Sequence, residues 1–304
     1  MFFAMFIRCD SEKFSIFAPI NLIYNLKMDK PKILYVSQEI YPYMISTPLA
    51  DFGRYMPQSA FERDKEVRIF MPRFGNVNER KNQLHEVIRL SGLNIIIDDV
   101  DHPLIIKVAS IPTVRMQIYF IDNEDFFTIK ADIKDAKGKY LPNNDERSIF
   151  FARGVLETVK KLSWRPSVIH CSGWFSMLLP FYLKRTEEYN NNPYFNKAKL
   201  VVSLFNDPFE GMLCEDIIKK IKKESEGGTT KDWKFYKEPT YENIMKAAIS
   251  YADGVVVAQD KVSKELIDFA KENKKDIIPY KSDRKEFYKS INDYYDSIIE
   301  IEED

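Results

Sequence analysis

Lys32-Ile33-Leu34-Tyr35-Val36, then Ser37-Gln38-Glu39-Ile40-Tyr41-Pro42-Tyr43-Met44-Ile45-Ser46-Thr47-Pro48, then Leu49-Ala50-Asp51 follow one another near the start of the chain. The first run is short and apolar, which predicts a buried strand. The last opens a stretch from Leu49 to Asp64 with helical spacing, where Pro57 is expected to kink the helix or start a second piece. A strand that passes through a loop into a helix aims backbone N–H groups at an anion. This loop contains no glycine, so it has the frame of a phosphate cradle without the chemistry.

Working outward, the same alternation recurs. Val67 to Pro72 predicts a strand, and Leu93 to Ile97, Leu104 to Ala109 and Arg115 to Ile121 predict three more, separated by turns at Asp98-Asp99 to Pro103 and at Pro112-Thr113. Their spacing leaves no room for crossover helices, so they form an antiparallel excursion. A long amphipathic helix is expected from Asp145 to Leu162, a strand at Val168 to Cys171, a helix from Trp174 to Arg185 and a strand at Leu200 to Leu204. Helix from Gly211 to Lys223, a last strand at Val255 to Ala258 and helix from Lys261 to Lys271 complete the series. The fold class is therefore α/β: a doubly wound, mostly parallel sheet covered on both faces, with an antiparallel hairpin insert. Phe287, Ile291, Tyr294, Tyr295 and Ile298 have helical spacing and predict a C-terminal helix docked on the body of the domain.

The 304 residues suffice for a sizeable core. With 45 basic and 46 acidic side chains and a formal charge of -1, nothing favours a nucleic-acid or membrane-surface partner. Cys9, Cys171 and Cys214 are too few and too scattered for a disulfide framework, which points to a reducing cytoplasm. His85, His102 and His170 show no chelating spacing with the cysteines, so neither a metal nor another cofactor is expected. Gly227-Gly228-Thr229-Thr230 has no strand before it and reads as a solvated loop; Asp98, Asp99 and Asp101 read as turn residues. Residues 1–27 are expected to be an upstream extension before a natural start at Met28, with a folded accessory segment as the alternative; residues 28–284 are expected to form the main domain and residues 285–304 a helix with an acidic tail. Met1 to Ile7 is apolar, but Arg8, Asp10, Glu12 and Lys13 interrupt it too soon for a membrane span.

Four segments carry a resemblance. Glu39 and Leu49-Ala50-Asp51 match parts of S-E-x-x-P and K-x-G-G-L-A-D, Asp145-Glu146-Arg147 matches D-x-E-R-F, Trp164 to Cys171 matches W-x-P-D-V-I-H-x-H-D-W, and Ala252 to Val257 looks like A-D-x-V-x-T-V-S. On these the chain resembles the bacterial glycogen and starch synthases over nearly all of Met28 to Phe269. The resemblance implies the Rossmann-like N-terminal half of a GT-B glycosyltransferase, which in the family extends an α-1,4-glucan from ADP-glucose.

The departures fall on the family's reactive positions. Its loop lysine aligns with Ile45 and its two glycines with Thr47 and Pro48; its cleft aspartate and the histidine after it align with Gly173 and Phe175, and the histidine of T-x-H-N with Phe205. Phenylalanine makes none of the polar contacts that orient an anomeric centre. The family's cationic groups that neutralise the departing diphosphate belong to a second half that this sequence does not include. The expectation is a synthase-like domain without glucosyltransferase activity of its own, binding a nucleotide sugar, a glucan or a protein partner. The alternative is a working transferase whose donor-binding half comes from another chain, and a third reading takes Phe126-Phe127, Phe150-Phe151 and Tyr294-Tyr295 as an assembly surface, against the preferred reading that such aromatic pairs are core.

The candidate ligand-binding residues are Glu39, Asp51, His170, Trp174 and Asn206. Asn206 ends a strand where open α/β sheets bind ligands. Asp51 has a plain alternative as a carboxylate on a helix dipole, Glu39 as a residue that fixes its loop, and His170 as a satisfied structural histidine.

Overall fold

The computed structural model describes residues 30–111, 113–222 and 232–299. The Met28 start, Pro112, the Gly227 to Thr230 loop and the tail from Glu300 lie outside them. From Pro31 onward, β1 (Lys32–Ser37) leads into α1 (Pro48–Phe61) and β2 (Glu66–Pro72). β3 (His85–Glu86), β4 (Leu93–Ile97), β5 (Val100–Ile111) and β6 (Met116–Asp122) follow, then α2 (Glu124–Phe127) and α3 (Asn144–Lys161). The remainder alternates: β7 (Val168–Ser172), α4 (Leu179–Arg185), α5 (Glu187–Asn190), β8 (Lys199–Leu204), α6 (Ile217–Lys222), α7 (Tyr241–Tyr251), β9 (Gly254–Val257), α8 (Lys264–Glu272), β10 (Asp276–Ile278) and α9 (Arg284–Ile298).

The sheet runs β10-β9-β8-β7-β1-β2-β6-β5-β3, with β4 paired to β5. From β10 to β6 every pairing is parallel, and β5, β3 and β4 add antiparallel strands at one side. The chain steps from β1 to β2 in one direction and from β7 to β8 in the other, so the order reverses between β1 and β7. Ligands of such sheets bind outside the carboxyl ends of the strands at that point.

The parallel strands are apolar almost throughout because both faces are covered. Tyr35 and His170 point to the face roofed by α1 and α9, where Phe52 and Tyr295 meet the imidazole edge-on at 5.6 and 5.9 Å. On the opposite face α3 lies so close to β6 that a Cβ on Gly154 would meet the Ile121 side chain at 2.9 Å.

Several expectations need correction. Pro57 does not divide α1, which runs unbroken for 14 residues, held by buried Phe52, Met56 and Ala60 on either side. The β4–β5 turn is shorter than its composition suggests: only Asp98 and Asp99 turn, at φ 49° and 66°, a type I′-like pattern, and Asp101, His102 and Pro103 belong to β5. Pro103 is tolerated because this half of β5 pairs with β4 alone. The helix expected from Trp174 begins as a 3₁₀ turn at Trp174–Ser176 and becomes α4 at Leu179. Within the described residues the Gly211 segment is helical only from Ile217, and Met212 instead bridges to Thr240. β9 is not the last strand; three-residue β10 lies outside it. Phe126, Phe127, Phe150, Phe151 and Tyr295 are core, as such aromatic pairs usually are, so the assembly-surface alternative does not hold for them.

The C-terminal helix docks as its spacing predicts. Phe287, Ile291 and Tyr295 are buried along one face of α9, Asn292 donates to Ser59 Oγ at 3.2 Å, and Asp293 and Asp296 pair with Arg63 and Lys65. Asp283 caps the helix, accepting from the Glu286 N–H at 2.8 Å. Ile291→Ala is expected to cost about 2–5 kcal/mol, and removal of everything after Asp283 to cost solubility as well. Thermal unfolding checks both, and unchanged melting temperatures would mean that α9 does not dock in solution.

Candidate functional site

At the reversal point the loops after β1 and β7 are joined tightly. Ser37 Oγ and Ser172 Oγ lie 3.0 Å apart, and the Gln38 N–H donates to Ser172 O at 3.0 Å. The Gln38 side-chain carbonyl accepts the Phe175 N–H at 3.1 Å. Gly173 makes this possible: its φ is +81°, and a Cβ there would stand 2.6 Å from Gln38 Cβ and 2.9 Å from Leu49 Cδ2. A side chain at position 173 has neither the backbone conformation nor the space it needs.

Beside this seam lies a cluster at the carboxyl ends of β1 and β8. Glu39 is half-buried; its Oε2 accepts from Thr47 Oγ1 at 2.8 Å, while Thr47 Oγ1 caps α1 by accepting the Ala50 N–H at 3.0 Å. Gly53 lets α1 pass over this loop, since a Cβ there would meet the Glu39 carbonyl oxygen at 2.4 Å. Burial pushes the Glu39 carboxyl above the ordinary carboxylate range, the Thr47 and Gln38 hydrogen bonds oppose this, and the charges of Asp132 and Asp207 add to the rise. Burial likewise raises Asp207, against a hydrogen bond from Tyr241, whose hydroxyl donates to Oδ1 at 2.8 Å. Asp207 Oδ2 is inaccessible and has no hydrogen-bond partner among the described residues.

Trp174 is buried with its ring 4.7 Å from that of Phe209, and its Nε1–H is likewise without a partner among the described residues. Asn206 is exposed, its backbone N–H donating to Gln259 Oε1 at 3.2 Å. Asp51 stands apart in the first turn of α1, where its carboxylate accepts from Ser46 Oγ at 3.0 Å and faces the positive end of the helix dipole.

His170 is inside the protein. Nε2 lies 2.6 Å from Ser203 Oγ and Nδ1 bonds the Tyr295 hydroxyl. Burial lowers its pKa to about 3, so the ring is neutral and both nitrogens are engaged. The positions that depart from the resembled motifs are filled with apolar contacts. Phe175 is in the core between Phe74 and Phe151, near the buried Arg147 guanidinium, Phe205 packs edge-on against Phe52 at 5.4 Å, and Ile45 is 79% exposed. No group of three His, Cys, Asp or Glu side chains able to hold a metal occurs among the described residues. None of their helices is long and apolar enough to cross a membrane.

Reasoning from sequence named Glu39, Trp174 and Asn206, which end or follow adjacent parallel strands, but missed Gln38 and Asp207. An acid directly after the strand-ending Asn206 was the available signal for Asp207.

With this geometry in place, comparison with known proteins decides the family: residues 32–278 match the family model for the starch synthase catalytic domain. The chain belongs to that family. It is 34% identical to the glycogen synthase of Chlorobium limicola over 237 residues, covering 78% of this chain and 47% of that protein. It is 37% identical to the glycogen synthase of Chlorobium luteolum over 198 residues, covering 65% of this chain and 40% of that one. The chain thus spans about half the length of the curated relatives it matches. Among solved structures, the catalytic domain of starch synthase IV from Arabidopsis thaliana bound to ADP and acarbose superposes with a TM-score of 0.65, at 14% identity, over 82% of this chain and 51% of that one. That likeness establishes the Rossmann-like GT-B fold.

Two consequences are measurable. Because His170 is held neutral in the folded chain and has its ordinary pKa near 6.5 when unfolded, its contribution is intact above pH about 6.5 and fades as pH falls toward 3, by roughly 1.4 kcal/mol per pH unit. Urea unfolding from pH 7 to 4.5 should show that slope in the wild type and a shallower one in His170→Gln. Gly173→Ala is expected to destabilise by about 2–4 kcal/mol, combining left-handed strain with overpacking; an unchanged urea midpoint would refute the close approach of Gln38.

Proposed function

We propose that this starch synthase-like region binds a neutral α-glucan at the carboxyl edge of its sheet, through Glu39 and Asn206 beside Trp174 and the buried carboxylate of Asp207, and does not by itself transfer glucose. The observation that carries the reading is Gly173: it occupies the position of the family's cleft aspartate, and its φ of +81° and the Gln38 side chain leave no room for a carboxylate there. Phe175 and Phe205, in place of two histidines, are buried. The choice of a glucan over a nucleotide sugar rests on charge. Burial is the main cause that raises the Glu39 pKa, and the charges of Asp132 and Asp207 add to it; Ile45 stands where the family places a lysine, so a diphosphate would meet carboxylates there. Glucan hydroxyls can donate to the Glu39 carboxylate and exchange hydrogen bonds with the Asn206 amide. Asp51 has its own role at the start of α1, and His170 supports the core beneath the site.

A second reading, an acceptor-binding half completed by a donor-binding half on another polypeptide, is favoured by Tyr41, Ile45, Ile129 and Met212. These apolar side chains are exposed by 40%, 79%, 56% and 49% on loops at the carboxyl side of the sheet. One pair of measurements separates the two. Calorimetry should show maltooligosaccharides binding saturably and more tightly than ADP-glucose, with Glu39→Gln and Asn206→Ala each weakening the glucan at least about fivefold, by analogy with about 1 kcal/mol for a lost hydrogen bond. Labelled ADP-glucose with glycogen should give no incorporation with the chain alone. Turnover by the chain alone would overturn the first reading, whereas incorporation only with cell extract, lost when the chain is depleted, would select the second.

A further inference from the structure

Where α1 and α9 cross, a groove of about 380 Å³ is lined by Tyr55, Gln58, Ser59, Glu62, Arg63, Arg284, Lys285, Tyr288 and Lys289. It is remote in character from the acidic sheet edge: four cations line it against one carboxylate. Asp293 engages Arg63 at 2.9 Å and Lys289 at 2.8 Å, and with Glu62 counted as well two positive charges remain in excess. Arg284 and Lys285 have no carboxylate partner among the described residues.

Two of the cations are held in place. The Arg284 guanidinium lies 4.5 Å from the centre of the Tyr55 ring, a cation–π contact that fixes its plane. Arg63 is oriented by Asp293 and by the Lys289 carbonyl oxygen at 3.4 Å. Arg284 on α9 and Arg63 in the turn after α1, with Lys285 and Lys289 on α9, line one groove, and such groups suit the oxygens of a phosphate-bearing anion. The Glu62 carboxylate opposes this charge, and Gln58 Nε2, one turn earlier on α1, donates to its Oε1 at 2.6 Å.

We propose that this groove is a binding site for a small phosphate-bearing anion that spans α1 and α9. It is independent of the glucan reading, because none of its lining residues contributes to the sheet-edge cluster. The test is calorimetric titration of the whole chain with pyrophosphate and with inorganic phosphate, at constant ionic strength set by chloride. The expected result is saturable one-site binding of pyrophosphate, tighter than that of phosphate, weakened at least tenfold in Arg284→Gln/Lys285→Gln. Should that double variant not fold, as judged by its melting curve, Lys285→Glu alone carries the test, since Lys285 is exposed and bonds no described residue. Absence of saturation, or an affinity unchanged in the folded variant, would overturn the proposal and leave only diffuse counter-ion attraction.

Discussion

The seam between β1 and β7 governs this molecule. In a doubly wound sheet the strands diverge at the reversal point and leave a crevice at their carboxyl ends. Here that crevice is closed at its root by the serine pair, by the Gln38 N–H on Ser172 and by the Gln38 side chain on the Phe175 N–H. Gly173 permits the contact, and Leu49 at the start of α1 rests against the same glycine. The position of α1 therefore follows from the seam, and Phe52 of α1, with Tyr295 of α9, then shuts His170 into the core. What is left open for a ligand is the flank of the seam, between Glu39 and Asn206-Asp207.

Closing the seam also explains the apolar substitutions as a set. Once Gln38 holds the Phe175 backbone, the Phe175 side chain is directed into the region occupied by Arg147. Among the described residues no carboxylate pairs with that buried guanidinium, although the charge of Asp132 acts on it; it donates to Phe126 O at 2.9 Å and Asn144 Oδ1 at 2.6 Å and is surrounded by the rings of Phe74, Phe127 and Phe175 at 5.4, 5.1 and 5.8 Å. Burial lowers its pKa to about 10, still protonated at neutral pH. A histidine at position 175 would be held neutral there and would leave polar ring nitrogens to satisfy beside a cation, whereas phenylalanine presents a negative ring face to it.

The parallel core was legible because its strands are covered on both faces and so read as continuous apolar runs: Lys32–Ser37, Val168–Ser172 and Lys199–Leu204 each fall within a residue or two of the pattern. β10 was not, since Asp276-Ile277-Ile278 is too short to show a period, and Pro57 misled because tertiary burial of α1 outweighs a single missing N–H. At the site, Glu39 and Asn206 could be placed from the strands they follow. Gln38 could not, because its role depends on a left-handed glycine contributed by a strand more than a hundred residues away. His170 shows the same limit: its burial depends on Tyr295, from the far end of the chain.

The helix α1 joins two electrostatically opposite regions. Its amino end, capped by Thr47, shares a hydroxyl with Glu39 at the acidic sheet edge, while the residues from Tyr55 to Arg63 form one wall of the basic groove. A glucan at the edge, as proposed, would act on the cap, and an anion in the groove would act on the contact with α9; both would bear on one element. If either ligand shifts α1 relative to the sheet, the other must feel the same free energy, because coupling between sites is reciprocal. The fit of Gly53 over the Glu39 carbonyl restricts that shift, since with so little clearance α1 and the loop move together or not at all. Coupling between the two regions, if the ligands produce it, would run through α1 as a body, with no relay of side chains required.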